Sequence, residues 1–206
     1  MIAWSIEAAL ESGCFDDVIV STDDEEIADI AKKSGASVPF IRPTELSDDH
    51  TGTIPVLRHT VETTEQQTGS HIEEACCIYA TAPLVMPSFL RQGLETLLAD
   101  EALDFAFSVA SYLFPIQRSL EINSDRRVEM VYPEYEQTRS QDLPERYHDA
   151  GQFYWFRRAG LFNNEGVFSA CSAPVIIPRE RVQDIDTLED WRCAELAHEL
   201  LEKREL

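Results

Sequence analysis

Glycine is scarce in this chain. Only eight occur in 206 residues, and none falls in a Gly-x-Gly-x-x-Gly or Gly-Lys-Ser/Thr pattern, so the common phosphate-cradling loops are absent. Basic residues are scarce as well: 17 Lys and Arg stand against 38 Asp and Glu, for a net charge of −21. A surface of that sign repels nucleic acid and anionic lipid, which are both gripped by Lys and Arg, so neither is expected as a partner. No stretch approaches the roughly 18 uninterrupted apolar residues of a membrane span. The first residues, Met1 to Glu7, lack the basic start and long apolar core of a signal peptide. The five cysteines include no Cys-x-x-Cys. Cys76 and Cys77 lie side by side in an apolar run and read as buried free thiols. That points to a reducing cytoplasm and away from zinc or a disulfide framework. There is no Gly-x-Ser-x-Gly, and His148 and Cys77 make no convincing nucleophile and base, so hydrolase chemistry falls.

What is present is an ordinary globular composition, 44% hydrophobic and 27% charged, in a length that suits one α/β domain. Apolar periodicity alternates between helix and strand. Ile2, Ile6, Ala9 and Leu10 recur at helical spacing before Gly13. Asp17-Val-Ile-Val-Ser21 reads as a strand, and Thr22-Asp-Asp-Glu25 as a capping box opening a helix that closes at Lys32, Lys33 and Gly35. Val38-Pro-Phe-Ile41 is the next expected strand, and Pro55 suits the first turn of a helix to about Thr68. Ala75 to Ala80 is wholly apolar, as in the middle of a parallel sheet. Ser88 is expected to cap a helix to about Asp100, and Phe105 to Ala110 is another buried strand. Residues 114–150 break the alternation and read as an inserted lid or dimerisation arm with one strand, Arg127 to Tyr132. Strands Gly151–Phe156 and Pro174–Ile177 and a helix from Thr187 complete the sequence. The pattern predicts a parallel sheet with helices on both faces and ligands at the carboxyl ends of the strands.

Several residues could carry chemistry. Asp184 and Asp186, at i and i+2, can face the same way on extended backbone and offer hard oxygen ligands to Mg²⁺. The alternative is that Asp186 only caps the last helix. Tyr79 and Thr81, in Tyr79-Ala-Thr-Ala-Pro83, could meet a ligand at a strand end, or simply mark the strand's exit. Arg42 and the loop to Thr53 could place a cation and hydroxyls against a nucleotide, although an Arg before Pro also suits a plain surface position. Thr138 to Asp142 and Tyr147 to Tyr154 bring Arg139, Gln141, Tyr147, His148, Gln152 and Tyr154 close in sequence. That mixture suits a polyhydroxylated acid, with Arg for carboxylate and amides and Tyr for hydroxyls. A polar hairpin with a solvated face would look the same.

Four stretches together resemble the acylneuraminate cytidylyltransferase family. They are Asp17-Val-Ile-Val-Ser-Thr-Asp-Asp-Glu-Glu-Ile-Ala28, Arg42-Pro-Thr-Glu-Leu-Ser-Asp-Asp-His-Thr-Gly52, Tyr79-Ala-Thr-Ala-Pro83 and Asp184-Ile-Asp-Thr-Leu-Glu-Asp-Trp191. Within it, Phe114-Pro-Ile-Gln-Arg118, Arg139-Ser-Gln-Asp-Leu143 and His148-Asp-Ala-Gly-Gln-Phe-Tyr-Trp155 are most similar to the pseudaminic acid branch. The resemblance implies a Rossmann-like nucleotidyltransferase fold in a single domain over residues 1–206, with a mainly parallel sheet and an inserted dimerisation arm at about 114–150. It also implies Mg²⁺-dependent transfer of CMP from CTP to a nine-carbon acidic sugar by a cytoplasmic homodimer. In that reading Asp184 and Asp186 are the catalytic metal carboxylates, and Arg42 and Thr53 serve the nucleotide. Tyr79, Thr81, Arg139, Gln141, Tyr147, His148, Gln152 and Tyr154 face the sugar. N-acetylneuraminate and legionaminate are the alternative sugar acids. The family begins with a strand and a basic, Gly-containing loop, and this sequence starts just after it. The expectation from that departure is weak CTP binding, and a non-catalytic protein that dimerises or binds sugar stands beside the enzyme.

Overall fold

The computed structural model describes residues 1–205. Its six α-helices and six strands follow in the order α1 (Ile2–Ser12), α2 (Glu25–Lys33), α3 (Thr53–Thr68), β1 (Glu74–Ile78), α4 (Pro87–Ala99), β2 (Phe105–Ser111), β3 (Leu120–Ile122), β4 (Val128–Met130), β5 (Tyr147–Arg157), α5 (Arg158–Asn163), β6 (Ser172–Ile176) and α6 (Leu188–Glu205).

The main sheet has the order β1-β5-β2-β6. β2 and β6 pair in parallel, while β5 is antiparallel to both of its neighbours. Three strands therefore run one way and β5 runs against them. Alternate residues of β5 feed two cores. Phe153 and Trp155 join Leu90 and Leu97 of α4 and Val175 on one face. Tyr154 and Phe156 join Val61 of α3, Phe105, Phe107 and Leu161 of α5 on the other. A smaller core of Ile6, Ala31 and Ala36 joins α1 to α2 over Val18, Val20 and Val38.

The strand of Ala75 to Ala80, expected in the middle of a parallel sheet, is instead the edge strand β1 and pairs antiparallel. It reads as wholly apolar because helices cover both of its faces: Cys76 and Ile78 pack into the α4 core, Ala75 and Cys77 into the α3 core. The expected strands 17–21 and 38–41 shrink to one parallel bridge between Ile19 and Ser37. Ser37 N–H donates to Val18 O at 2.7 Å and Val20 N–H to Ser37 O at 2.9 Å. The next rung would need an N–H from residue 39, and Pro39 has none.

Two expected caps also shift. Asp24, not Thr22, caps α2 by accepting from Ile27 N–H at 2.9 Å. α4 opens on Pro87 at its first turn, and the Ser88 side chain does not cap it. Between β2 and β5 the backbone leaves the sheet to form the β3–β4 hairpin, a separate two-stranded sheet. Leu113, Phe114, Leu120, Ile122 and Val128 are all more than half exposed there. No helix among the described residues is long and apolar enough to cross a membrane.

Candidate functional site

β5 does not run straight past β2. Phe107 pairs with Tyr154, but Val109 pairs with Asp149, so one β2 residue, Ser108, opposes the four residues 150–153. Gly151 absorbs the turn at φ +62, a left-handed conformation open to glycine without strain. The buried Ser108 hydroxyl fills the gap, accepting from the N–H groups of Gln152 and Phe153 at 3.3 Å each. Bulges of this kind re-aim side chains, and here the bulge builds a site.

On one side it brings Asp149 against Tyr154. The Tyr154 phenol donates to Asp149 Oδ2 at 2.6 Å, and Gly151 N–H donates to Oδ1 at 2.9 Å. The ring of Tyr79, at the end of β1, stands 5.3 Å from that of Tyr154. Tyr79 Oη and Thr53 Oγ1, at the start of α3, are 3.0 Å apart. Thr53, Tyr79 and Tyr154, picked from three separate stretches of sequence, thus meet at one place. Burial pushes the Tyr154 phenol far above the ordinary value of 10.0, with the Asp149 carboxylate adding to the rise. Asp149 is the partner that sequence reading missed. Its signal was an Asp two residues before a Gly, the spacing of a side chain that bonds the backbone two residues on.

On the other side the bulge turns Gln152 inward. Expected on the sugar side, Gln152 is 2% exposed, and its amide donates to the backbone carbonyl of Arg181. Thr81 is exposed on the loop after β1. Arg42 is committed within the protein: Nε donates to Ser47 Oγ at 3.0 Å, Nη1 to Ser21 O at 3.2 Å, and Nη2 pairs with Asp23 at 3.2 Å. Its contacts tie two loops together and use three of its five N–H donors, leaving one on each Nη. Arg139 and Gln141 lie on the arm, where Arg139 clasps Asp142 through two bonds of 2.7 and 3.2 Å. Neither shares a hydrogen bond with the Tyr79–Tyr154 group. Tyr147 donates to Glu145 at 2.7 Å, and that bond raises its phenol. His148 Nδ1 is 2.8 Å from Asp149 O, and the ring packs on Tyr112.

Asp184 and Asp186 are exposed on either side of the half-buried Ile185. The cap of the last helix is Thr187, whose Oγ1 accepts from Asp190 N–H at 3.2 Å while Asp190 accepts from Thr187 N–H at 2.9 Å. Asp186 is therefore not the capping residue. Among the described residues neither its carboxylate nor that of Asp184 has a hydrogen-bond or ion-pair partner. Two exposed carboxylates without protein partners are compatible in donor chemistry with Mg²⁺, which keeps several waters and takes one or two carboxylates plus substrate phosphates. Among the described residues no group of three or more His, Cys, Asp or Glu could hold a metal by itself. An open cleft of about 500 Å³ lies at the carboxyl ends of β2 and β6, lined by Ser111, Ile176, Ile177, Pro178, Arg179 and Glu180. Cys76 and Cys77 carry no reactive thiolate, because burial raises both thiols, that of Cys77 to about 12.

This mixed sheet with strand-end ligand candidates is the fold of nucleotidyltransferases, and the chain belongs to the family described as Cytidylyltransferase, whose sequence pattern matches residues 1–197. It is 37% identical to the pseudaminic acid cytidylyltransferase of Campylobacter jejuni over 97% of this chain and 85% of that protein. It is also 29% identical to a CMP-N,N'-diacetyllegionaminic acid synthase of Campylobacter jejuni, over 95% of this chain and 82% of that one. Among solved structures, CMP:2-keto-3-deoxy-manno-octonic acid synthetase complexed with CTP has the same fold. The TM-score is 0.64 at 16% identity, over 98% of this chain and 88% of that one.

Proposed function

We propose that this protein transfers CMP from CTP to the anomeric hydroxyl of pseudaminic acid and releases pyrophosphate. The observation that carries the reading is the 37% identity to a pseudaminic acid cytidylyltransferase over 97% of the sequence. The sugar oxygen attacks the α-phosphorus, the bond to the bridging oxygen breaks, and pyrophosphate leaves with that electron pair. The sugar hydroxyl's proton passes to water as the new bond to phosphorus forms. Such a transfer needs positioning and charge neutralisation more than an enzyme nucleophile. Asp184 and Asp186 would hold Mg²⁺, which when bound neutralises charge on the phosphates. Tyr79 and Tyr154 would face the polyhydroxylated sugar, and Thr53, 3.0 Å from the Tyr79 hydroxyl, would meet the nucleotide beside it.

The arm completes the reading. Leu120, Ile122 and Val128 are 60%, 74% and 61% exposed on the hairpin, an apolar surface suited to a second copy of the protein. A homodimer would bring Arg139 and Gln141 of one arm toward the partner's sugar. The test is pyrophosphate release with CTP, Mg²⁺ and each of pseudaminic, legionaminic and N-acetylneuraminic acids, alongside sedimentation. Pseudaminic acid is expected to lead in kcat/KM by roughly tenfold or more. Equal turnover of another acid, or no CMP-sugar from any, overturns the substrate reading. A monomer overturns the arm's role.

A further inference from the structure

A glutamine sealed into a sheet needs a reason, because a buried amide is costly unless bonded. Gln152 is 2% exposed at the bulge of β5, and three of its polar groups are used. Its backbone carbonyl accepts from Tyr79 N–H at 2.9 Å, and its N–H donates to Ser108 Oγ at 3.3 Å. Its amide Nε2 donates to the carbonyl of Arg181, 29 residues away in sequence. Its Oε1 is buried without a partner. Methionine would fill the same space with no orphaned oxygen, so packing alone does not account for the amide. What the amide adds is a donor to Arg181, three residues before Asp184.

The segment around Arg181 is irregular, held on its near side by Arg179 Nη1 donating to Tyr112 O at 3.1 Å and on its far side by Asp186 N–H donating to Asp190 Oδ2 at 3.3 Å. Residues 182–185 belong to no helix or strand. Arg181 N–H and Val182 N–H bond to Pro178 O and Arg179 O, within their own turn. Val182 packs at the margin of the α4 core. The Gln152 bond fastens this turn to the central strand, and the same residue's backbone fastens Tyr79.

We propose that Gln152 is a positioning residue. It registers the Asp184–Asp186 carboxylates against Tyr79 by holding the carbonyl of Arg181 and the N–H of Tyr79 from one point on the β5 bulge. This rests on the reading of Asp184 and Asp186 as metal carboxylates. A residue that holds ligand-bearing backbone acts on metal affinity without touching metal, as partners of ligands commonly do.

The experiment compares the wild-type protein with Gln152→Met, which keeps the volume and loses the donor. Hydrogen–deuterium exchange is expected to quicken roughly fivefold or more in residues 181–186, the loss of about one hydrogen bond, and to stay unchanged in β2. The Mg²⁺ concentration for half-maximal pyrophosphate release is expected to rise at least about tenfold, with a smaller change in the KM for the sugar acid. Unchanged exchange in 181–186, or exchange raised evenly through the molecule, overturns the proposal. Should the Met variant not fold, Gln152→Leu, which also lacks a donor and any polar atom to orphan, is read by the same criteria. The exchange arm stands by itself. Absent Mg²⁺ dependence in the wild-type protein would refute the metal reading, while localised exchange would still establish the anchor.

Discussion

The Tyr154 phenol and the Asp149 carboxylate are joined by a 2.6 Å hydrogen bond although they stand five residues apart on one strand. On a regular strand that separation spans about 16 Å and puts the two side chains on opposite faces. Only the bulge at 150–153, with Gly151 at φ +62, folds the strand back far enough for them to meet.

That pair has a consequence at alkaline pH. Burial first, then Asp149, holds the Tyr154 phenol protonated well above 10.0. A group whose value is raised by folding contributes stability fully below its unfolded value and loses it as pH climbs toward the folded one. The stability difference between wild type and Tyr154→Phe should therefore be constant up to about pH 10 and shrink above it. Urea unfolding between pH 8 and 11 measures this. Phenolate absorbance should also rise equally in both proteins over that range, since Tyr154 stays silent; a smaller rise in the Phe variant would refute the buried phenol.

Acid pH tests a different contact. Glu65 of α3 accepts from Arg158 through both oxygens, at 2.9 and 3.0 Å, and from Ile72 N–H at 3.0 Å. The Arg158 bonds lead in lowering its carboxyl below the usual 4.5. Here the sign reverses: the contribution is present above the unfolded value and lost as pH falls through the folded one. Glu65→Gln should cost stability at pH 6 and progressively less below about pH 4.5. Melting temperatures of the two proteins from pH 6 to 3 should converge, and parallel curves would argue against it. The comparison must be made as a difference, because protonating the other carboxylates also relieves the self-repulsion of a protein at −21.

Much of the fold was legible in apolar spacing. The Ile2–Leu10 face gave α1, the Pro55 turn gave α3, and the runs at Phe105 and Pro174 gave β2 and β6. What escaped was pairing. Nothing local says that β5 would enter between β1 and β2, because a wholly apolar strand covered on both faces reads alike at an edge and in the middle. Pro39 was visible, but its effect on one missing rung needed the partner's register. The site was half legible. Tyr79 stood out at a strand end, Thr53 at the close of the Arg42 loop, Tyr154 in the polar cluster from Tyr147, and Asp184 and Asp186 as a spaced pair. Gln152 was placed with the wrong neighbours because a bulge breaks the alternation by which side chains are assigned to faces. Resemblance supplied the substrate class, which spacing alone left open.

Packing between α4 and the sheet leaves no room at Gly93. A Cβ there would sit 2.5 Å from Trp155 Cδ1 and 2.9 Å from Phe153 Cε2. The indole cannot swing away, since its Nε1 donates to Leu90 O at 2.9 Å and the ring is 2% exposed. Alanine would bring about 1 kcal/mol of helix propensity. Overpacking costs about 1–3 kcal/mol and has to win against a fixed ring. Gly93→Ala should therefore lower the melting temperature by several degrees, at about 2–4 °C per kcal/mol for a protein this size. A rise would mean that α4 shifts freely off the sheet.

The carboxylate pair allows the sharpest separation of function from folding. Asp184 and Asp186 are exposed, and among the described residues their carboxylates hold nothing else in place. Replacing either with Asn keeps the shape and removes one negative charge. Stability should then move by no more than about 0.5 kcal/mol, as for other surface changes, or rise slightly as repulsion eases. Pyrophosphate release should fall by about 10²-fold or more, because on the proposed reading each carboxylate helps hold the cation that would neutralise charge growing on the departing pyrophosphate. The loss should appear mainly in kcat, with raised Mg²⁺ giving partial recovery at most. Asp190 serves as the internal control. Its carboxylate accepts from Thr187 N–H and Oγ1, so Asp190→Asn should loosen the start of α6 without comparable loss of turnover. Were Asp186→Asn to keep full activity at ordinary Mg²⁺ while Asp190→Asn lost it, the chemistry would belong to the helix start and not to the spaced pair.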